Sequence, residues 1–196
     1  MNRGSLALVA AAAIALALAF GCTRSDGTQA PARVAFDAGT PVDLEVMAFL
    51  SEARSLHHEA NLHEASRDDQ AALASLDKLT KAPRPHPEKT IPEVEEVLAD
   101  TYARIAEIRL RDGDTLGAAK DVDEGEKHAK SDSYFRGHLL EVGGIVQEAR
   151  AAELGDAGKT ADADDAKKRA LALLHEAVEV QDKVIRASLG ADGGSP

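Results

Sequence analysis

Residues 102–119 read YARIAEIRLRDGDTLGAA, and this stretch decides the fold. Its apolar residues recur at steps of three and four up to Leu110, the spacing of one face of an α-helix. Asp112-Gly113 then interrupts the pattern, because glycine supports the conformation that ends many helices. Small apolar residues resume at Ala118-Ala119. The stretch therefore predicts two helices joined by a tight turn.

The same helix, turn, helix pattern is predicted three times along the chain. We expect the first three helices to run from Thr40-Pro41-Val42-Asp43 to near Ala65, from Asp68-Asp69 to before Pro83, and from a Thr90/Glu93 capping box to Asp112-Gly113. The other three are expected to run from Thr115 to near Ala129, from Ser133 to Gly155, and from the end of an acidic loop over 155–164 to Gly190. Three alternating prolines over 83–87 forbid helix and predict a stiff connector. No stretch is typical of a strand. We expect an all-α domain over residues 40–190 and a disordered tail over 191–196.

The first two hairpins align with each other at a fixed spacing. Leu56, Ala60, Ala72 and Leu76 precede Tyr102, Ala106, Ala118 and Val122 by 46 residues in each case. Small residues therefore recur where the two helices of a hairpin would cross. Such a repeat predicts that each hairpin packs mainly against its neighbours.

The motifs Tyr102-Ala103-Arg104-Ile105-Ala106, Asp112-Gly113-Asp114 and Ala118-Ala119 resemble the tetratricopeptide repeat family. That family has a shorter period, near 34 residues, and a Trp and Leu-Gly signature that this chain lacks. The resemblance implies three hairpins stacked as a short solenoid. A six-helix bundle of alanine-rich hairpins is the alternative, and both architectures are all-α.

A tetratricopeptide-like stack implies a groove lined mainly by the first helix of each hairpin. The groove positions implied by the alignment are Arg54, His57, Asn61, Asp100, Glu107, Arg111 and Gln147. The partner would be another envelope protein or a peptide segment of one. Small lipoproteins of this general design include the pilotins, which assist the assembly of secretins in the outer membrane.

The N-terminus has the features of an exported protein. Arg3 precedes an unbroken apolar run over residues 6–20, which is too short to span a membrane and is typical of a signal peptide. Ala19-Phe20-Gly21-Cys22 resembles the lipobox of bacterial lipoproteins. The resemblance implies cleavage of residues 1–21 and acylation of Cys22, the sole cysteine. The alternative is an ordinary secretory signal that is cleaved nearby.

Residues 22–39 mix Ser, Asp, Gly, Thr, Pro and Ala without periodicity, so we expect a flexible tether behind the lipidated cysteine. Thr23 follows the cysteine, and by the enterobacterial sorting pattern this implies the outer membrane, facing the periplasm. Several acyl chains would hold the protein stably. We therefore expect the membrane contact to come from lipid alone.

The charge balance excludes several partner classes. The chain carries 23 Lys and Arg against 34 Asp and Glu, a net charge of −11, which becomes −12 once residues 1–21, with one arginine and no acid, are removed. Nucleic-acid binding depends on clustered basic residues, and anionic lipid would be repelled. One cysteine allows no disulfide within the chain.

The chain offers no pattern typical of catalysis or of a cofactor. His58 and His63 lie five residues apart, whereas a zincin helix places its histidines four apart, so a Glu59–His63 surface pair is the favoured interpretation. Gly158-Lys159-Thr160 lacks the first glycine of a phosphate-binding loop. We expect no catalytic residue, metal or cofactor. The adaptor hypothesis leads, and the alternatives are a metal or small-ligand binder, suggested by His57 and its neighbours, and an envelope enzyme subunit.

Overall fold

The computed structural model describes residues 42–192, with side chains to residue 190. Within this range there are six helices and no strand, which confirms the predicted all-α class. The helices are α1 (Leu44–Ala65), α2 (Asp69–Thr80), α3 (Pro92–Arg111), α4 (Thr115–Glu126), α5 (Tyr134–Asp156) and α6 (Thr160–Asp192). The predicted signal peptide 1–21, the tether 22–39 with Cys22, and residues 193–196 lie outside the described residues.

Three helix starts follow from capping side chains. Asp68 accepts a hydrogen bond from the Ala71 N–H at 3.0 Å, and Asp114 accepts one from the Gly117 N–H at 2.8 Å. Ser133 does the same at the start of α5. Each of these side chains accepts from a backbone N–H of the first helical turn, which has no partner inside the helix. The helix therefore begins directly after the capping residue.

Two predicted starts are wrong. α1 begins at Leu44, and its cap is Asp43, which accepts from two backbone N–H groups, so the helix starts later than Thr40. α3 has Ile91 at its cap position and no side-chain cap, so the Thr90 capping box does not form. Pro92 supplies the start instead, because its fixed φ suits the first helical position and its missing N–H needs no partner.

The predicted acidic loop over 155–164 is also wrong. α5 continues to Asp156 and α6 begins at Thr160, so three residues join them. Gly158, with φ +74°, makes the turn that Gly155 was expected to make. The following alanines favour helix, and Asp162 lies in the first turn, where a negative charge is favourable. α4 ends at Glu126, short of Ala129, and α6 runs to Asp192, past Gly190 and two residues into the expected tail.

The helices contact one another largely in chain order. α1 packs on α2, α3 on α4 and α5 on α6, which gives the three predicted hairpins. Between hairpins, α3 contacts α1 and α2, and α5 contacts α3 and α4. Among the described helices α6 touches only α5, and no contact joins the first hairpin to the third.

Small residues allow these close crossings. Ala60 and Ala72 are fully buried with Leu76 in one cluster, and their equivalents Ala106 and Ala118 are fully buried in the next. In the third hairpin, a Cβ on Gly144 would lie 2.7 Å from Leu174, so α5 and α6 approach closely there.

None of the helices within residues 42–192 combines the length and the apolar character that a membrane-spanning segment requires.

Candidate functional site: the polar face of the first helices

The first helices of the three hairpins present a common polar face. On α1 and α3 the residues step by three and four, so they fall on one side of each helix. We define the polar face as His57, Asn61 and Glu64 of α1, Asp100, Arg104, Glu107 and Arg111 of α3, and His138 of α5. Their hydrogen bonds and ion pairs connect all three hairpins.

His57 has one hydrogen-bond arrangement that fits its neighbours. Its Nε2 lies 2.9 Å from the Thr101 hydroxyl oxygen, and Thr101 donates its own proton to the Val97 carbonyl at 2.7 Å. Nε2 must therefore be the donor. Nδ1 is left as an acceptor and faces the Arg104 guanidinium at 3.4 Å.

The environment of His57 keeps its ring neutral. Burial lowers its pKa, the carboxylate of Asp100 acts in the opposite direction, and the Arg104 guanidinium lowers the pKa further. The carboxylate of Asp100 does not reverse this lowering of the His57 pKa, since it lies 3.8 Å from Nδ1. A neutral imidazole has one donor and one acceptor nitrogen, and both are used inside the protein, by Thr101 and Arg104.

His138 has the opposite character. Its Nδ1 lies 3.2 Å from Asp100 and its Nε2 lies 3.5 Å from Glu107. Hydrogen bonds to these two carboxylates raise the pKa of His138 to about 10, and burial offsets only part of the effect. The ring is therefore a cation at neutral pH, and Asp100 joins the histidine of α5 to that of α1.

Two arginines of α3 bind the C-terminal part of α1. Arg104 donates to Asn61 at 2.8 Å and pairs with Glu64. Arg111 pairs with the same carboxylate at 2.7 Å and with Asp69 at 3.2 Å. Glu64 thus receives two guanidinium groups, and these contacts fix the position of the first hairpin relative to the second.

An open cleft lies beside this network, between α1 and α3. Its volume is about 530 Å³, and its lining residues are Leu50, Ala53, Arg54, His57, His58, Asn61, Val97 and Asp100. Arg54 and His58 are exposed at its edge, whereas Ala53 is buried at its base. The cleft therefore has an apolar floor bordered by the Arg54 guanidinium, the Asn61 amide and the Asp100 carboxylate.

The structure brings together most of the residues expected in the groove. Arg54, His57, Asn61 and Asp100 line the cleft, and Glu107 and Arg111 lie on the polar face. Gln147 does not join them. It is nine residues from His138, about half a turn away around α5, and its Oε1 is buried without a hydrogen-bond partner.

Three residues of the polar face were missed by the sequence analysis. Arg104 stands inside the quoted repeat motif and Glu64 lies outside the aligned positions, and their pairing becomes visible only once α1 and α3 are adjacent. His138 belongs to the third hairpin, where the repeat pattern is weakest.

The histidines of α1 do not converge. His57 faces α3 and His58 is exposed, while His63 lies 3.8 Å from Glu59, so the predicted pair on the helix surface is present. In the part of the chain that the structure describes, no three His, Cys, Asp or Glu side chains are grouped to hold a metal ion.

No family model, no curated protein and no solved structure matches this chain.

Proposed function

We propose that this protein is a lipid-anchored adaptor that binds a segment of another envelope protein through the polar face and its cleft. The observation that carries the proposal is the cleft between α1 and α3, bordered by groups that can donate and accept hydrogen bonds. The protein acts by binding and performs no catalysis.

The order of helix contacts supports this role. Because each hairpin contacts only the next one, the first helices line up side by side and their residues form one surface. A tetratricopeptide-like stack presents its groove on that surface. The fully buried alanines at equivalent helix crossings favour such a stack over a bundle with a shared core.

We expect the partner segment to carry an acidic group. Arg54 is an exposed cation at the edge of the cleft, the neutral His57 adds no charge, and Asp100, the carboxylate in the lining, is already paired with His138. A carboxylate could therefore bind Arg54 while backbone groups of the segment pair with Asn61, and an aliphatic side chain could occupy the floor near Leu50 and Val97.

The anchor is the second part of the proposal. The lipobox resemblance at Ala19-Cys22 implies that acyl chains on Cys22 hold the protein to a membrane, by the sorting pattern the outer one, with the domain facing the periplasm. Residues 22–39 would give the domain reach. The partner would then be captured at the membrane surface.

Affinity capture from envelope extract tests the proposal. Arg54→Glu reverses a charge at the cleft edge without disturbing a buried contact, so we expect the captured partner to fall about tenfold in amount. The measurement is quantitative mass spectrometry of the captured proteins.

Arg169→Glu is the matched control. It makes the same change at an exposed position of α6, away from the cleft. It should leave capture unchanged. Equal losses in both variants, or no loss in Arg54→Glu, would remove the cleft as the binding site.

A further inference from the structure

An exposed apolar stripe runs along α6, far from the polar face. Leu171, Val178 and Ile185 follow one another at seven-residue intervals, and Leu189 continues the line. Their exposed fractions are 59, 64, 57 and 69%. We call these four residues the α6 stripe. At 1.5 Å per residue it is about 27 Å long.

The stripe faces away from the other hairpins. On the other side of α6, Lys183 donates to Asp132 at 3.2 Å and Glu176 accepts from Arg136, and both partners lie at the start of the third hairpin. The stripe is roughly 150° around the helix from these contacts. It therefore lies at the open end of the row of helices, where a further helix could pack.

Polar residues within the stripe show what kind of helix fits there. His175 and Asp182 lie on the same line, one on each side of Val178, and both are exposed. If a second copy of α6 runs antiparallel with Val178 opposite Val178, Leu171 faces Ile185 of the other copy. In the same register His175 lies within one residue, about 1.5 Å along the axis, of the level of Asp182 of the other copy, and the two-fold axis repeats both pairs.

The charges favour this orientation over a parallel one. A parallel pair would place the Asp182 carboxylates against each other, whereas the antiparallel pair places each of them within one residue of a His175 of the other copy. Asp182 also accepts from Arg186 of its own helix at 2.7 Å, and a carboxylate retains further acceptor positions. From 171 to 189 there are three acids and two bases, so this surface avoids the repulsion expected from a chain of net charge −11.

We infer that the α6 stripe is a self-association surface, at which two copies of this chain pair through antiparallel α6 helices. One helix pair about 27 Å long buries less than a standard interface. The dimer is therefore weak and reversible. It leaves the cleft between α1 and α3 open on both copies.

Disulfide cross-linking tests both the surface and the orientation. The full chain carries Cys22→Ser, which removes its only native cysteine. Chains with Leu171→Cys and Ile185→Cys, bearing different tags, are mixed and oxidised. We expect a mixed disulfide between the two variants, no disulfide between two Leu171→Cys chains, and a self-disulfide from Val178→Cys. In antiparallel helices two Leu171 positions are about 21 Å apart.

Glu179→Cys is the matched control, because it is exposed on the same helix but lies off the stripe. It should form far less disulfide. Sedimentation gives an independent measurement, with Val178→Asp and Ile185→Asp together expected to abolish the concentration-dependent dimer while helix content stays constant. A chain that remains monomeric at every concentration, equal cross-linking from Glu179→Cys, or a Leu171→Cys self-disulfide would overturn the proposal. None of these outcomes bears on partner capture at Arg54.

Discussion

His138 carries the strongest electrostatic signature on the polar face. Asp100 and Glu107 hold its protonated form, and the resulting pKa of about 10 lies above the value of about 6.5 for an unfolded chain. Because the folded state binds the proton more tightly, the stabilisation is complete below pH 6.5. It is lost as the pH rises through 10.

His138→Gln should therefore lower the free energy of unfolding at pH 6 by about 1.5–3 kcal/mol, the range for hydrogen bonds to charged groups. The loss should shrink towards zero near pH 10. Urea unfolding at the two pH values measures it. His58→Gln, at an exposed position of α1, is the control and should be nearly neutral at both. A loss in His138→Gln that does not change with pH would show that the ion pairs with Asp100 and Glu107 do not stabilise the fold.

At this scale the sequence predicts positions better than contacts. The repeat alignment placed His57, Asn61 and Asp100 on helix faces that the structure brings together, since spacing along a helix is a local property. The opposite protonation of His57 and His138 could not be predicted. It depends on which carboxylate or guanidinium lies within a few ångströms after the hairpins have packed.

At the scale of the helices, fully buried small residues set the distance between α3 and α4. Ala118 packs in one cluster with Ala106 and Val122. Ala118→Leu inserts a larger side chain where no space exists, so we expect a loss of about 1–3 kcal/mol and a lower thermal midpoint by several degrees. Calorimetry measures the midpoint.

Lys120→Leu makes the same new side chain on an exposed position of α4 and should change the midpoint little. If both variants have the same thermal midpoint as the unmodified chain, Ala118 does not limit the approach of α3 and α4. The 46-residue alignment would then lose its structural meaning.

Helix starts were predicted correctly at Asp68 and Ser133, each of which caps the first turn. They were missed at α1, where Asp43 rather than Thr40 is the cap, and at α3, where Pro92 fixes the start without a side-chain cap. The link between α5 and α6 was overestimated because small and acidic residues are common both in loops and in first turns. Only Gly158, with its positive φ, was required for the turn, and that requirement is visible in the backbone alone.

For the whole molecule, the decisive feature is that the contacts between hairpins follow chain order. The first helices are placed side by side, so residues as distant in sequence as His57 and His138 lie on either side of Asp100. The all-α class was predictable from composition and periodicity. The shared face was not, because it depends on how the hairpins turn relative to each other.

Photo-cross-linking in cells that export the full chain tests the central claim of an anchored adaptor most directly. A photoreactive residue replaces Asn61 in the cleft or, as a control, the exposed Lys120 of α4. We predict one prominent adduct from position 61 and none like it from position 120. This adduct should be recovered with the membrane fraction, and in Cys22→Ala it should be found outside that fraction. The same adducts from both positions, no adduct from position 61, or membrane retention of the adduct in Cys22→Ala after a salt wash would contradict the account.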